Sequence, residues 1–159
     1  MKHLPKHLRP RWRYLAVGIE TWPDAELGRR AFQRALWYAA GNLLGDASSA
    51  DADLTLLSFA HDDGEGEAIV RARHGHVDEA RAAIACVSEV DGDPVGIRVR
   101  GISGTVRACE ERYMGRAGPP STQRDVAFED TERSAVVRED AYDVWVESEY
   151  VGATAFDTE

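Results

Sequence analysis

The chain has 159 residues, 43% of them hydrophobic, with 19 Lys and Arg against 28 Asp and Glu for a net charge of −9; this suits one domain with a core of its own, followed by a tail. No stretch approaches the ~20 apolar residues of a membrane span, and no apolar run follows the basic start as it would in a signal peptide, so a soluble, cytoplasmic protein is expected. The two cysteines, Cys86 and Cys109, lack Cys-x-x-Cys spacing, which argues against a zinc site or a disulfide framework.

Leu15, Val17 and Ile19 alternate with Tyr14, Ala16, Gly18 and Glu20 and predict a half-buried first strand over 11–20. After a turn at Thr21–Asp24, apolar residues from Leu27 to Leu44 recur at helical spacing, and Gly45 with "DASSA" is expected to end that helix. Residues 54–59 and 68–74 read as two strands joined by the acidic hairpin loop "HDDGEGE". Val77, Ala80, Ala83, Ile84 and Val87 mark one face of a second helix. "DGDP" then leads into a fourth strand, where Val95, Ile97 and Val99 alternate with Arg98 and Arg100. "GISGTVRACEERY" turns from that strand into a third helix.

Strand-helix-strand-strand-helix-strand is the α+β, ferredoxin-like or RRM-like βαββαβ sandwich, with both helices on one face and the other available. The third helix is an addition, and its place over that second face is left open. Beyond Met114 "GRAGPPSTQRD" reads as a linker. The division expected is therefore a domain at 1–115 and an acidic, partly disordered extension at 116–159, in which "DVWVESEYVGATAF" could supply a strand or two.

Charge is unevenly spread. Residues 1–34 carry eight Lys and Arg against three Asp and Glu, whereas 35–104 and 105–159 each come to −7. Seventeen of the cations are arginine and only Lys2 and Lys6 are lysine. An acidic, lysine-poor composition fits a protein working in concentrated salt, and a basic entrance on an acidic body fits RNA. If the apolar strand positions face the helices, the opposite face presents Tyr14, Arg71, Arg73, Arg98 and Arg100, with Lys6, Arg9, Arg11 and Arg13 at its edge. Arginine forks grip phosphates in pairs of hydrogen bonds and stack on bases. A solvated face paired with nearby carboxylates would show the same residues.

Side-chain catalysis finds little support. Ser103 sits in Gly-Ile-Ser-Gly, but position 105 is Thr and no histidine follows residue 76, so a nucleophile elbow is not formed. His74 and His76 lack a third metal ligand at sensible spacing. Asp62, Asp63, Glu65 and Glu67 lack the spacing of a calcium loop. Ser103, Gly104 and Thr105 read as a capped strand-to-helix joint whose free N–H groups could take one phosphate. On the first helix Arg30, Arg34 and Trp37 share an outward face that suits a partner contact, or a Trp folded back on a loop.

Three segments in order, "LPKHLRPRWRYLAVGIE", "AIVRARHGHVDEARAAIACV" and "VGIRVRGISGTVRACEERY", make the chain resemble the archaeal ribonuclease P protein component 2 family, counterpart of the eukaryotic Pop-five subunit, in a halophilic version. The resemblance covers residues 1 to about 115. It implies a ferredoxin-like fold and membership of the endoribonuclease ribonucleoprotein that removes the 5′ leader of precursor tRNA and leaves a 5′-phosphate. It further implies that catalysis and the Mg2+ requirement belong to the RNA subunit, with no cofactor on this chain and no catalytic residue. Component 3, TIM-barrel-like, would be its partner in a heterotetramer, with precursor tRNA contacted indirectly. Lys6, Arg9, Arg11, Arg13, Tyr14, Arg71, Arg73, Arg98, Arg100 and Arg107 are then the candidates for RNA contact. The third strand carries Arg71 and Arg73 where RNA-recognition motifs have stacking aromatics, which favours grip on folded backbone. A small-molecule-sensing ferredoxin-like module and a purely protein-binding scaffold are the alternatives.

Overall fold

Leu15, Val17 and Ile19, the alternating apolar set of the first strand, are buried in the computed structural model of the protein, which describes residues 4–115, 122–138 and 141–158. They belong to β1 (Trp12–Thr21). With β2 (Thr55–Asp62), β3 (Glu65–Arg73), β4 (Glu89–Val90) and β5 (Asp93–Ser103), this strand forms a five-stranded sheet ordered β2-β3-β1-β5-β4. Every pairing in the sheet is antiparallel. Two helices, α1 (Arg29–Ala52) and α2 (Val77–Ala85), cover one face; Phe32, Leu36 and Ala40 of α1 and Ala80, Ala83 and Ile84 of α2 close on Leu15, Val17, Val70 and Ala72. This is the expected ferredoxin-like βαββαβ unit, with β4 added at its edge.

The structure departs from the periodicity reading at its joints. The first helix does not stop at Gly45: that glycine takes φ 80°, kinks the helix, and the "DASSA" residues resume it until Asp53 caps it in the left-handed region at φ 48°. Alanines propagate a helix well, and Ala52 is buried in the core, so tertiary packing carries the helix past its breaker. The expected "HDDGEGE" loop shrinks to a two-residue turn at Asp63–Gly64, with β2 and β3 running up to it. Asp91–Gly92 joins β4 to β5 in the same way. Both turns need positive φ at two successive residues, which Asp-Gly supplies.

The expected half-buried first strand is covered on both faces. A third helix, α3 (Val106–Tyr113), lies across the face that a bare ferredoxin-like unit leaves free, burying Cys109 against Ala16 and Ile69 beside Tyr14, Leu57 and Tyr113. Small residues on the sheet permit this close approach. The Tyr113 ring occupies the space a Cβ at Gly101 would need, and Arg100 lies flat over Gly18, its Nε 2.8 Å from where a Cβ would be. A register shift between Ala16 and Val17 leaves Arg100 out of the pairing and frees it to reach across β1.

Where an acidic, partly disordered extension with a strand or two is expected, the described residues form four strands. There β6 (Thr122–Phe128), β7 (Thr131–Val137), β8 (Tyr142–Val146) and β9 (Glu149–Ala153) form an antiparallel meander in that order. A bridge from Phe128 to Thr158 brings the chain beyond β9 back to β6, curling the sheet around Val126, Ala135, Val144 and Ala153. The linker expected at 116–121 lies outside the described residues. The meander docks on the end of the main sheet. Arg138 donates through Nε to Asp143 Oδ2 at 2.9 Å and through Nη2 to the Thr21 carbonyl at 3.2 Å, and Tyr150 stacks on Trp22. Among the described residues no helix is long and apolar enough to cross a membrane.

Candidate nucleic-acid interface

Register brings the predicted basic residues together at one end of the sheet. Tyr14 pairs with Arg71 of β3 on one side and with Ser103 of β5 on the other, and Trp12 pairs with Arg73. The start of β1, the ends of β3 and β5 and the start of α3 therefore share one pole. The N-terminal arm approaches the same pole. Its Lys6–Leu8 turn, Arg9 and Arg11 are exposed, and the Arg11 carbonyl accepts from the His74 amide at 2.8 Å. Arg13 Nη1 lies 3.6 Å from the Cβ position of Gly104, which places a further guanidinium beside the strand-to-helix joint. At the opposite end of the sheet stand Glu20, Asp62, Glu65 and Asp93. The sheet thus has a basic pole and an acidic pole.

Trp12 completes this pole and was not among the predicted residues. Arg71 stacks on its indole with Cζ 3.9 Å from the ring centroid, and Arg73 Cζ lies at 5.5 Å. Such pairs contribute about 0.5–2 kcal/mol, the higher value when desolvated. The signal was available: Trp12 precedes Tyr14 by two positions and so falls on the same strand face. Arg71 Nε is enclosed without a hydrogen-bond partner, while Arg73 faces Asp53 at 3.8 Å across half-exposed surface.

The remaining predicted residues divide. Arg100 is committed internally: Nη1 donates to Glu67 Oε1 at 2.6 Å and to the Tyr113 carbonyl at 3.3 Å. Glu67 also accepts from the Gly115 amide, so this pair fastens the end of α3 to the sheet. Arg98 is exposed opposite Gly18, away from the pole. Arg107 is exposed in the first turn of α3 and donates to Glu111 at 2.8 Å on its own helix. Thr105 caps α3, its Oγ1 accepting from the Ala108 amide at 3.1 Å. Ser103 is buried and its Oγ has no partner.

Arg30, Arg34 and Trp37 lie on the other layer and do not join the basic pole. Trp37 is 54% exposed, yet its Nε1 donates to the Leu54 carbonyl at 2.8 Å, folding the indole towards β2. Arg34 leans the other way, towards Asp91 at 3.8 Å, over an open groove of about 620 Å³ between α1 and residues 86–91. His74 and His76 lie at the turn before α2, where His76 Nδ1 pairs with Glu79 Oε2 at 2.7 Å; among the described residues no three His, Cys, Asp or Glu could hold a metal together. Burial, aided by Glu110, raises the Cys109 thiol above its ordinary pKa, as suits a packing residue.

The model of the Rpp14/Pop5 family matches residues 13–114. The chain is 88% identical over its full length to the ribonuclease P protein component 2 of Halorubrum lacusprofundi, which it covers completely. It is 63% identical to that of Haloarcula marismortui, with 99% of each chain covered. Against the component 2 of Methanosarcina acetivorans identity is 34%, over 72% of this chain and 82% of that one. A chain in the structure of yeast ribonuclease MRP aligns at a TM-score of 0.46 and 19% identity, over 60% of this chain and 75% of that one. The chain belongs to the Rpp14/Pop5 family.

Proposed function

We propose that this chain is an RNA-binding subunit of ribonuclease P, the ribonucleoprotein that removes the 5′ leader from precursor tRNA, and that it supports the catalytic RNA without supplying a catalytic group. The observation that carries the reading is the basic pole, where Trp12, Tyr14, Arg71 and Arg73 are brought side by side in a protein of net charge −9. The names of its halophilic relatives give the reading its object. On this view the reaction, its 5′-phosphate product and its Mg2+ requirement belong to the RNA. Component 3 is the protein partner, in a heterotetramer; the α1 surface with Arg30, Arg34 and Trp37 is available to it. Precursor tRNA is met indirectly, in the cytoplasm.

The arginine bias supports this reading in physical terms. In molar salt the Debye length falls to about 3 Å, so charges acting at a distance lose their effect and only groups in contact count. Arginine keeps planar, two-pronged contacts and stacking under those conditions.

Reconstitution is the test. Added with component 3 to the catalytic RNA, the chain should lower the Mg2+ concentration at which the leader is removed, and Arg71→Ala with Arg73→Ala should reverse much of that gain. A double variant indistinguishable from the unaltered chain would remove the basic pole from the RNA contact. Leader removal by the proteins without RNA would overturn the non-catalytic assignment.

A further inference from the structure

We propose that Trp12 is the positioning residue of the RNA grip: its indole holds the Arg71 guanidinium flat, so that the outward Nη edge meets a phosphate of folded RNA even in concentrated salt. The proposal rests on the RNA-subunit reading and deepens it. It starts from what holds each arginine. Arg34, Arg73, Arg100, Arg107 and Arg138 each face a carboxylate. A carboxylate so placed leaves less charge and fewer donors for an outside anion.

Arg71 is held differently. Among the described residues no carboxylate pairs with it; instead its Cζ sits 3.9 Å over the Trp12 ring. The two residues are diagonal neighbours, because Trp12 pairs with Arg73 and Tyr14 with Arg71, and a diagonal spacing of roughly 7–8 Å between strands is within reach of long side chains. Arg71 Nε is enclosed and unpartnered, so the inner edge of the guanidinium is turned into the protein and the Nη edge faces out. A ring covers the face of a guanidinium, whereas a phosphate binds its edge in the plane. Indole therefore fixes the fork without competing for it, as a carboxylate would. Tyr14, the pairing partner of Arg71, and Arg73 are its neighbours on the sheet, and Asp53 is turned to Arg73.

The full-length chain and its variants are titrated with the ribonuclease P RNA over a series of KCl concentrations. Trp12→Leu removes no charge, yet it should weaken binding about fivefold and lower the slope of log affinity against log salt by roughly 0.7–0.9, the loss of one phosphate contact. Arg71→Ala should give the same slope change, and combining the two should weaken binding no further than Arg71→Ala alone. Trp12→Phe, which keeps a smaller ring, should recover most of the loss. Wild-type affinity and slope in Trp12→Leu, or losses that simply add in the double variant, would overturn the proposal. Arg71→Lys gives an answer independent of any folding defect at position 12. It keeps the charge but has no planar fork, so it should bind as weakly as Arg71→Ala, and binding like the unaltered chain would sink the positioning role. If the unaltered chain fails to bind the RNA at all, the RNA-subunit reading falls first; if it binds and Trp12 is silent, only this proposal falls.

Discussion

Gly101 decides how closely α3 can lie on the sheet, because the Tyr113 ring fills the place of its missing Cβ. Gly101→Ala should therefore cost about 1–3 kcal/mol, the usual range for forcing a methyl into a packed site. Urea unfolding reads this. Tyr113→Ala made in the same chain should absorb part of the cost, so the two losses should fall short of additivity; a double variant that shows the full sum would mean the ring is not what the methyl meets. His61 poses a different question at the same scale. Its Nε2 shares a hydrogen bond with Thr21 Oγ1 at 2.8 Å. Burial lowers its pKa from the ordinary 6.5, opposed by the charges of Asp62 and Asp93. A histidine whose folded pKa is depressed takes up its proton first in the unfolded chain. Stability should therefore fall as pH drops through about 6.5 and level off only below the folded pKa. His61→Gln should flatten melting temperature against pH between pH 7 and 5, and an unchanged profile would assign that loss to other groups.

At the scale of elements, the C-terminal meander shows how composition can conceal a fold. Val126 and Phe128, and Tyr142, Val144 and Val146, fall on alternate positions, but Ala127 and Trp145 between them blur the period and acids in the strands and turns dominate the average. The turn at Glu129–Asp130 takes φ 50° and 62°, so even its acids serve a hairpin. Its attachment to the main sheet combines the Tyr150–Trp22 stack with Arg138, which donates to the Thr21 carbonyl, faces Glu65 and is held from its own side by Asp143. The side chains of Arg138 and Asp143 are only 8% and 10% exposed, and desolvation raises the Asp143 pKa despite its bond to Arg138. Replacing one member of such a pair strands the other. Arg138→Leu should cost about 3 kcal/mol and speed amide exchange in β7 and β8 more than in β1 and β3. Arg138→Leu with Asp143→Leu should recover part of that loss; recovery of nothing would mean that the links of Arg138 to Thr21 and Glu65, not a stranded Asp143, carry the cost.

Across the whole molecule, periodicity and register divide the labour. Alternation at Leu15, Val17 and Ile19, and the helical spacing in "VDEARAAIACV", were enough to place four strands and two helices in a ferredoxin-like order, because burial imposes those periods on any chain that folds this way. The arginines of the third strand were legible for the same reason: positions 71 and 73 must share a face. What periodicity could not supply was contact between elements. The cover of α3 on the second face, the loss of Arg100 to Glu67 and the stacking of Arg71 on Trp12 all depend on which residues stand opposite one another, and for Arg100 a single register shift at Ala16–Val17 decides it. The sequence by itself therefore determined the fold class, the uneven charge and the presence of a basic entrance, since each is a sum or a period along the chain. Only the tertiary structure decided which arginines are taken up by a carboxylate and which lie on a ring, because that depends on distances of a few ångströms between segments far apart in the chain.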